Sequence, residues 1–364
     1  MELYIFNQNL ERIHLVDEFT SLIWTRKYHK PGEFELHVPL TTDNINYLTR
    51  GNIIYKKGDN EAGYIETRQI ALDEKGNETL LVKGKILTNY LDIRINWSRV
   101  AFIGLSEVLM RKLVNDNAIN PTNTKRKIPL LSLGTLKNYT ESINYQNSYG
   151  NLIEELENLS STSEFGYRIN FDQANKSLKF EVYKGVNRSV NQSLIAPCVF
   201  SREFENVLSQ TYFESDNGYK NTALVAGEGE GDLRVLYPVN NTNEGLNRKE
   251  LFVDARDLQK TVDNKTYTDT EYKNMLTQRG LEKLSEYSEI KTFDSVINTK
   301  GNNVYKVDYD LGDIVTIQDK KWGLRVDTRI TEIQEVYEGG KIEINPTFGT
   351  NIPTITDKIK RMVK

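Results

Sequence analysis

The stretch Ser21-Leu-Ile-Trp-Thr-Arg-Lys-Tyr28, the break at Pro31-Gly32, and the run Glu33-Phe-Glu-Leu-His-Val38 decide the fold class. Leu22, Trp24 and Tyr28 share one parity, and so do Phe34, Leu36 and Val38. Successive side chains on a strand point to opposite faces, so each run reads as a strand with one apolar face. Pro31-Gly32 interrupts the alternation with residues suited to a turn. The expectation is a β-hairpin whose apolar face covers a core. The opposite, charged face is assigned Arg26, Lys27, Glu33, Glu35 and His37, which form no catalytic set.

Strand-like runs continue outward from the hairpin. Gly51-Asn-Ile-Ile-Tyr55 and Gly63–Leu72 lead to a turn at Asp73–Asn77 and a further run, Glu78–Gly84. Short strands between Gly, Asn and Asp turns predict a barrel or sandwich over residues 1–96. A short helix over residues 41–49, capped by Thr42 or Asp43, interrupts them. Residues 97–198 read as α+β. Ser106 is the expected cap of a helix bearing Val108, Leu109, Leu113 and Val114, and a second helix is expected from about Tyr149 to Ser160. The alternating runs Tyr167–Phe171 and Ser177–Tyr183 follow, joined by a turn at Asp172–Lys176.

Beyond residue 199 the pattern returns to β, with Val207–Phe213 and Asn221–Ala226. Thr268-Asp-Thr-Glu271 is a capping box, opening a helix with Tyr272, Leu276, Leu284 and Tyr287 on one stripe and Gly280 beneath them. From Phe293 to Gly349 the reading is β again. The late segment echoes the early one. Gly51-Asn-Ile-Ile-Tyr is followed twelve residues later by Gly63 and a strand; Gly312-Asp-Ile-Val-Thr-Ile is followed eleven later by Gly323 and a strand. Each half closes on a glycine, Gly84 or Gly349. Related β-units at opposite ends of a chain can pair into a quasi-symmetric assembly.

Composition narrows the function. With 364 residues the chain is long enough for roughly two to four domains. The net charge of −4 carries no overall basic footprint for nucleic acid. Tyrosine, at 20 residues, outnumbers phenylalanine at 13, which favours β-structure and interfaces. The single cysteine, Cys198, cannot form an intramolecular disulfide and is expected to be buried. No apolar run approaches the ~18 residues of a membrane span, and the N-terminus lacks signal-peptide features, so cytoplasmic synthesis without a membrane anchor is expected.

A search for chemistry nominates nothing catalytic, cofactor-binding or metal-binding. Ala226-Gly-Glu-Gly-Glu-Gly-Asp232 has the glycines of a phosphate loop, but its carboxylates repel phosphate, and it reads as a hairpin loop. Asp308-Tyr-Asp-Leu-Gly-Asp313 misplaces the glycine of a calcium loop and reads as a turn. His14, His29 and His37 match no zinc spacing. Glu154, Glu155 and Glu157 read as the solvated face of a helix rather than a glycosidase pair.

The chain resembles the Gp37-like family of tail proteins from siphophages and prophages. The resemblance rests on Ser21–Tyr28, Pro31–Leu36, Gly51–Tyr55, Ala62–Glu66, Lys83–Thr88 with Tyr90–Asp92, Gly227–Gly231, Leu311–Val315 and Pro346–Gly349, in order along most of the chain. It implies an α+β, mainly β fold similar to the gp27-like tail hub: two related tube-type β-barrel domains with inserted α+β structure. On that reading residues 1–96 form the first barrel domain. Residues 97–198 with about 247–292 form a peripheral α+β domain, 199–246 with 293–350 form the second barrel domain, and 351–364 form a C-terminal tail.

The resemblance further implies a homotrimeric baseplate hub at the virion tail tip, giving a pseudo-sixfold ring. Its implied partners are the distal tail protein, the tape-measure protein and other tail-tip or receptor-binding proteins, with DNA passing transiently and without sequence preference. Arg26, Lys27, Glu33, Glu35 and His37 then suit contacts with neighbouring subunits. The lumen is expected to be neutral or acidic, since basic contacts hold phosphate in a salt-dependent way. No hydrolase domain and no lytic activity are expected. The alternatives are a module binding receptor or cell-wall carbohydrate through exposed Tyr and Trp, and a cell-wall hydrolase using Glu154 or Glu157.

Overall fold

The structure, a computed structural model, describes residues 1–72, 74, 76–262 and 265–349. Asp73 and Lys75 of the expected turn, and the expected tail 351–364, lie outside the described residues. The fold is mainly β. It divides into two compact units, one built from Met1–Ile86, Lys184–Ser215 and the chain from Ile290, the other from Leu87–Tyr183 and Asp216–Glu289.

In the first unit the opening hairpin forms as its alternation requires. Ser21–Lys27 pairs antiparallel with Glu33–Pro39, setting Leu22 against Leu36 and Trp24 against Phe34. The Trp24 and Phe34 rings stack at 5.6 Å, a cross-strand aromatic pair that stabilises the register. These side chains join Leu3, Ile5, Ile54, Ile65, Leu80, Val82 and Ile86 in one buried cluster. The short helix Thr42–Tyr47 is capped by Thr41, whose Oγ1 accepts from Asn44 N at 3.1 Å, one residue before the expected cap. Thr41 is the residue with extended backbone, which is what a cap needs.

The pairing order of this unit occurs twice. In the first half Ser21–Lys27, Glu33–Pro39, Glu78–Ile86, Ala62–Leu72, Ile53–Lys56 and Leu3–Phe6 are neighbours in that order. In the second half Val207–Ser215, Ile290–Ile297, Lys341–Gly349, Leu324–Glu338, Ile314–Asp319 and Val199–Ser201 repeat it. The last step differs, being antiparallel in the first half and parallel in the second.

Local detail repeats as well. Gly51 N donates to Ile65 O and Ile65 N to Asn52 O, at 2.8 and 2.9 Å; Gly312 N donates to Ile330 O and Ile330 N to Asp313 O, at 2.9 and 2.8 Å. Both glycines are left-handed, with φ of 86° and 93°, a conformation that excludes most other residues. A register shift follows Ile65 in one half and Ile330 in the other. The closing glycines are not equivalent, however. Gly84 lies opposite Ile65, whereas the residue opposite Ile330 is Phe348, so Gly349 is displaced by one position. The halves share one sheet, because Leu324–Glu338 also pairs with Ser21–Lys27.

Among the described residues the second unit combines four small sheets with three α-helices. Arg99–Leu105 pairs with Ser142–Ser148, and Gly166–Asp172 with Ser177–Tyr183, to which Leu131–Leu133 adds in parallel. Ser106 is the first residue of the helix Ser106–Val114 and is buried. Leu105 stands at the cap without a side-chain bond, so Ser106 does not cap. The capping box at Thr268 forms and opens the helix Asp269–Ser285. Gly280 is required on that helix, since a Cβ there would come within 2.8 Å of Val239 and 2.9 Å of Val225.

The sheet beneath this helix lies within the second unit. Thr222–Ala226 pairs with Leu236–Val239 and Glu250–Asp254, so residues 216–246 cluster with the second unit. Ala223, Val225, Val239 and Val253 bury one sheet face against Tyr272 and Leu276. Their apolar surface is satisfied locally and does not need the large sheet.

The helix Leu152–Ser163 is capped by Asn151, whose Oδ1 accepts from Ile153 N and Glu154 N at 2.9 and 3.2 Å. Glu155 does not lie on a solvated face as expected; it is 3% exposed. It shares the inward stripe with Leu152, Leu156 and Leu159. Its Oε1 accepts from Asn147 Nδ2 at 3.2 Å, while Oε2 is buried with no hydrogen-bond partner among the described residues. Burial pushes this carboxyl up from 4.5 to about 7, against the weaker pull of Tyr145 and Asn96. Glu282 is likewise buried and raised by burial.

A raised carboxyl binds its proton more tightly in the folded state. Its stabilisation is therefore full below pH 4.5 and lost as pH rises towards 7. Denaturant titrations of the full chain should show Glu155→Gln more stable than the parent at pH 8 by about 3 kcal/mol, and nearly equal to it at pH 4.5. A constant difference across that range would show that the carboxyl does not titrate there.

Candidate functional site

Four of the five residues nominated from the opening hairpin share one sheet face. Glu33 pairs with Lys85 at 2.6 Å and Lys27 at 3.3 Å, and Lys27 reaches Glu332 at 3.8 Å. Glu35 pairs with Lys83 at 2.6 Å and with His37 Nε2 at 2.7 Å. Strand register sets these contacts, since Glu33 lies opposite Lys85 and Glu35 opposite Lys83. The result is an alternating ladder in which Lys27, Lys83 and Lys85 balance Glu33, Glu35 and Glu332. The lysine partners lower the Glu35 carboxyl, and they lower Glu33 against its burial. Partly exposed pairs of this kind contribute little stability one by one, about 0–1 kcal/mol each.

Arg26 is not on that face. It has the parity of Leu22 and Trp24 and is 3% exposed. Its Nε donates to Glu61 Oε2 at 2.7 Å, and its Nη1 to Asp310 Oδ1 at 2.8 Å and to the Tyr305 hydroxyl at 3.1 Å. Burial opposes its charge, but Glu61, with Tyr305, Asp310 and Asp59, holds the guanidinium well above its ordinary value. Arg26 is thus a structural ion of the chain's own interior.

A second buried cation, Lys56, continues this network. Its ammonium pairs with Glu335 and lies 3.0 Å from Asp59, with the Trp24 and Tyr337 rings at 5.4 and 5.5 Å. Lys306 reaches Asp59 at 3.1 Å and Glu335 at 3.9 Å. The Tyr305 hydroxyl accepts from Arg26 and donates to Glu335 Oε1 at 3.0 Å, and Tyr337 also donates to Glu335. Burial keeps Tyr305 protonated for this role. Burial raises Asp59 and Glu335, but Lys56 and Lys306 outweigh it and leave both carboxyls lowered.

The network spans the seam between the two repeated halves. Trp24 is paired opposite Glu335, and Arg26 opposite Ile333. Lys56, Asp59 and Glu61 come from the first half, while Tyr305, Lys306, Asp310 and Glu335 come from the second. It forms no reactive centre, because each ion faces a fixed counter-ion.

The other residues singled out by sequence have local structural partners. The carboxylates of Asp308, Asp310 and Asp313 accept from Val304 N, Leu311 N and Val186 N at 2.7–2.8 Å, as a turn would use them. The acidic glycine loop joins the antiparallel strands Thr222–Ala226 and Leu236–Val239, and Glu228 accepts from Lys260 N at 3.0 Å. His14 stacks on Tyr47 and His29 meets the edge of Tyr28, each at 4.8 Å. Cys198 is buried as expected, its thiol pushed up to about 12 by burial, so it is no ready nucleophile.

Removing Lys56 leaves the buried carboxylates of Asp59 and Glu335 short of a counter-ion. Lys56→Met should lower unfolding stability by about 3–5 kcal/mol, and a second change, Glu335→Leu, should restore most of the loss. A denaturation midpoint unchanged by Lys56→Met would show that the network is energetically idle. Asp59 and Glu335 are lowered from 3.8 and 4.5, so their stabilisation is present above those values. It is lost as pH falls through them towards the folded-state values. The acid limb of a thermal stability profile should therefore be shallower in Asp59→Asn than in the parent.

No curated protein matches the chain. Among solved structures it is similar to the tail protein from Neisseria meningitidis MC58, with a TM-score of 0.58 at 12% identity over 96% of each chain. It is also similar to prophage tail protein gp18 from Listeria monocytogenes EGD-e, with a TM-score of 0.57 at 12% identity over 100% of this chain and 98% of that one. The prophage MuSo2 43 kDa tail protein from Shewanella oneidensis gives 0.55 at 12% identity over 96% and 98%. At such identity these likenesses show a shared fold. The model of the Siphovirus ReqiPepy6 Gp37-like protein family matches residues 2–350, and the chain belongs to that family of phage tail proteins.

Proposed function

We propose that the chain is a structural component of the virion tail tip, a homotrimeric baseplate hub without enzymatic activity. The observation that carries this reading is the pairing order used twice in one unit, with its two left-handed glycines and two matching register shifts. Each half is read as a tube-type β-barrel domain. Three chains then supply six related β-units, as a pseudo-sixfold ring requires. The second unit, in place of the 97–198 plus 247–292 segment, forms the peripheral α+β part.

Two further features support the ring. The strand order of the large sheet ends on Val207–Ser215 at one side and on Arg12–Val16 at the other. Edge strands are natural places for another chain to pair. The face carrying Lys27, Glu33, Glu35 and His37 is charge-balanced with Lys83, Lys85 and Glu332. Such a face suits a subunit contact, or a channel wall past which DNA slides without being held. The distal tail protein, the tape-measure protein and other tail-tip or receptor-binding proteins are the proposed neighbours.

Sedimentation of the chain, alone and with the distal tail protein of the same phage, tests the proposal. A species of roughly three times the 42.0 kDa chain mass is expected in at least one condition. A strictly monomeric chain that never joins that partner would overturn it. Exchanging Glu35→Lys with Lys83→Glu keeps the pair inside the chain but inverts what a neighbour meets. The exchange should weaken assembly while changing monomer stability by under about 1 kcal/mol.

A further inference from the structure

The second unit carries an open surface depression of about 410 Å³. It lies where the C-terminal end of the helix Asp269–Ser285 meets the chain before Thr222–Ala226 and the loop after Leu236–Val239. Its lining is chemically selective. Amide and hydroxyl side chains dominate, Lys220 is the one charged residue, and no carboxylate contributes. Leu281 and Leu284 supply an apolar floor.

Part of the wall is already committed. Asn221 donates to Asn247 O at 2.7 Å and accepts from Lys249 N at 2.9 Å, which fixes the rim. Lys249 also pairs with Asp216 and lies 5.4 Å from the Tyr219 ring, which holds that ring in place. Other polar ends are uncommitted. Among the described residues, Lys220 Nζ and the hydroxyls of Tyr219, Thr242 and Ser288 have no hydrogen-bond or ion-pair partner.

We infer that this depression binds one unit of an acidic saccharide. A sugar ring presents hydroxyls that both donate and accept, matching amides and hydroxyls that do the same. Its C–H face covers apolar side chains, here Leu281 and Leu284. Lys220 then selects a carboxylate or phosphate substituent through a charge-assisted bond. A divalent cation is disfavoured because no carboxylate lines the depression. Free phosphate is disfavoured because a single lysine, without arginine or a second cation, makes a weak anion site. The inference concerns the second unit alone and does not rest on ring assembly.

Saturation-transfer NMR on the full chain, with glucuronate, glucose and inorganic phosphate as probes, tests it. Glucuronate should bind about tenfold more tightly than glucose, one charge-assisted bond's worth. Phosphate should not displace it. Lys220→Gln should reduce glucuronate to the level of glucose, and Thr242→Val should weaken both sugars. Both residues lie outside the buried core, so far-UV spectra should be unchanged. Absence of transfer to either sugar overturns the proposal, as does displacement by phosphate. Equal binding of the two sugars, or signal that persists unchanged in both variants, also overturns it.

Discussion

The seam between Ser21–Lys27 and Leu324–Glu338 is the constraint on which the first unit depends. It joins two halves that each repeat the same strand order, and it does so with charge as well as backbone pairing. Lys56 is buried beside the Trp24 and Tyr337 rings, and Glu335 and Asp59 supply its counter-charges there. Glu61 and Asp310 do the same for Arg26. Ions of this kind need not add net stability over an apolar seam. What they do is penalise every misalignment, because a one-residue slip in strand pairing turns each side chain to the other face.

This gives the repeated halves different jobs at their junction. The network draws its cations and carboxylates from both: Arg26–Glu61 and Lys56–Asp59 lie within the first half, and Arg26–Asp310, Lys56–Glu335 and Lys306–Asp59 tie that half to the second. The second unit follows another logic. Its small sheet buries one face on its own helix, and its buried Glu155 and Glu282 favour the protonated state. The seam carboxyls Asp59 and Glu335 and the buried pair Glu155 and Glu282 therefore respond to pH with opposite sign.

Local features were legible because short-range physics sets them. The opening hairpin, the paired runs around Asp172–Lys176, the capping box at Thr268 and the crowded Gly280 follow from alternation, turn chemistry and helix geometry. The repeat was visible through Gly51 and Gly312, whose left-handed backbone restricts the residue type. Arg26 shares the parity of Leu22 and Trp24 and faces inward with them, and its charge masks that position in the sequence. The same holds for Glu155, which lies on the stripe of Leu152, Leu156 and Leu159.

The sequence by itself determined the opening hairpin, the paired runs around Asp172–Lys176, the helix opened at Thr268, and the echo of Gly51 in Gly312. Tertiary structure alone decided which charges are interior. Lys56 meets Glu335 across 279 positions of chain, and nothing in Lys56-Lys-Gly-Asp-Asn-Glu61 separates a buried ion from a solvated loop. It also decided that Thr222–Ala226 joins the second unit, because a strand's pairing depends on which apolar surface reaches it first in space. Alternation and turns act over a few residues, whereas burial and pairing depend on distant partners, and a single sequence does not encode those partners locally.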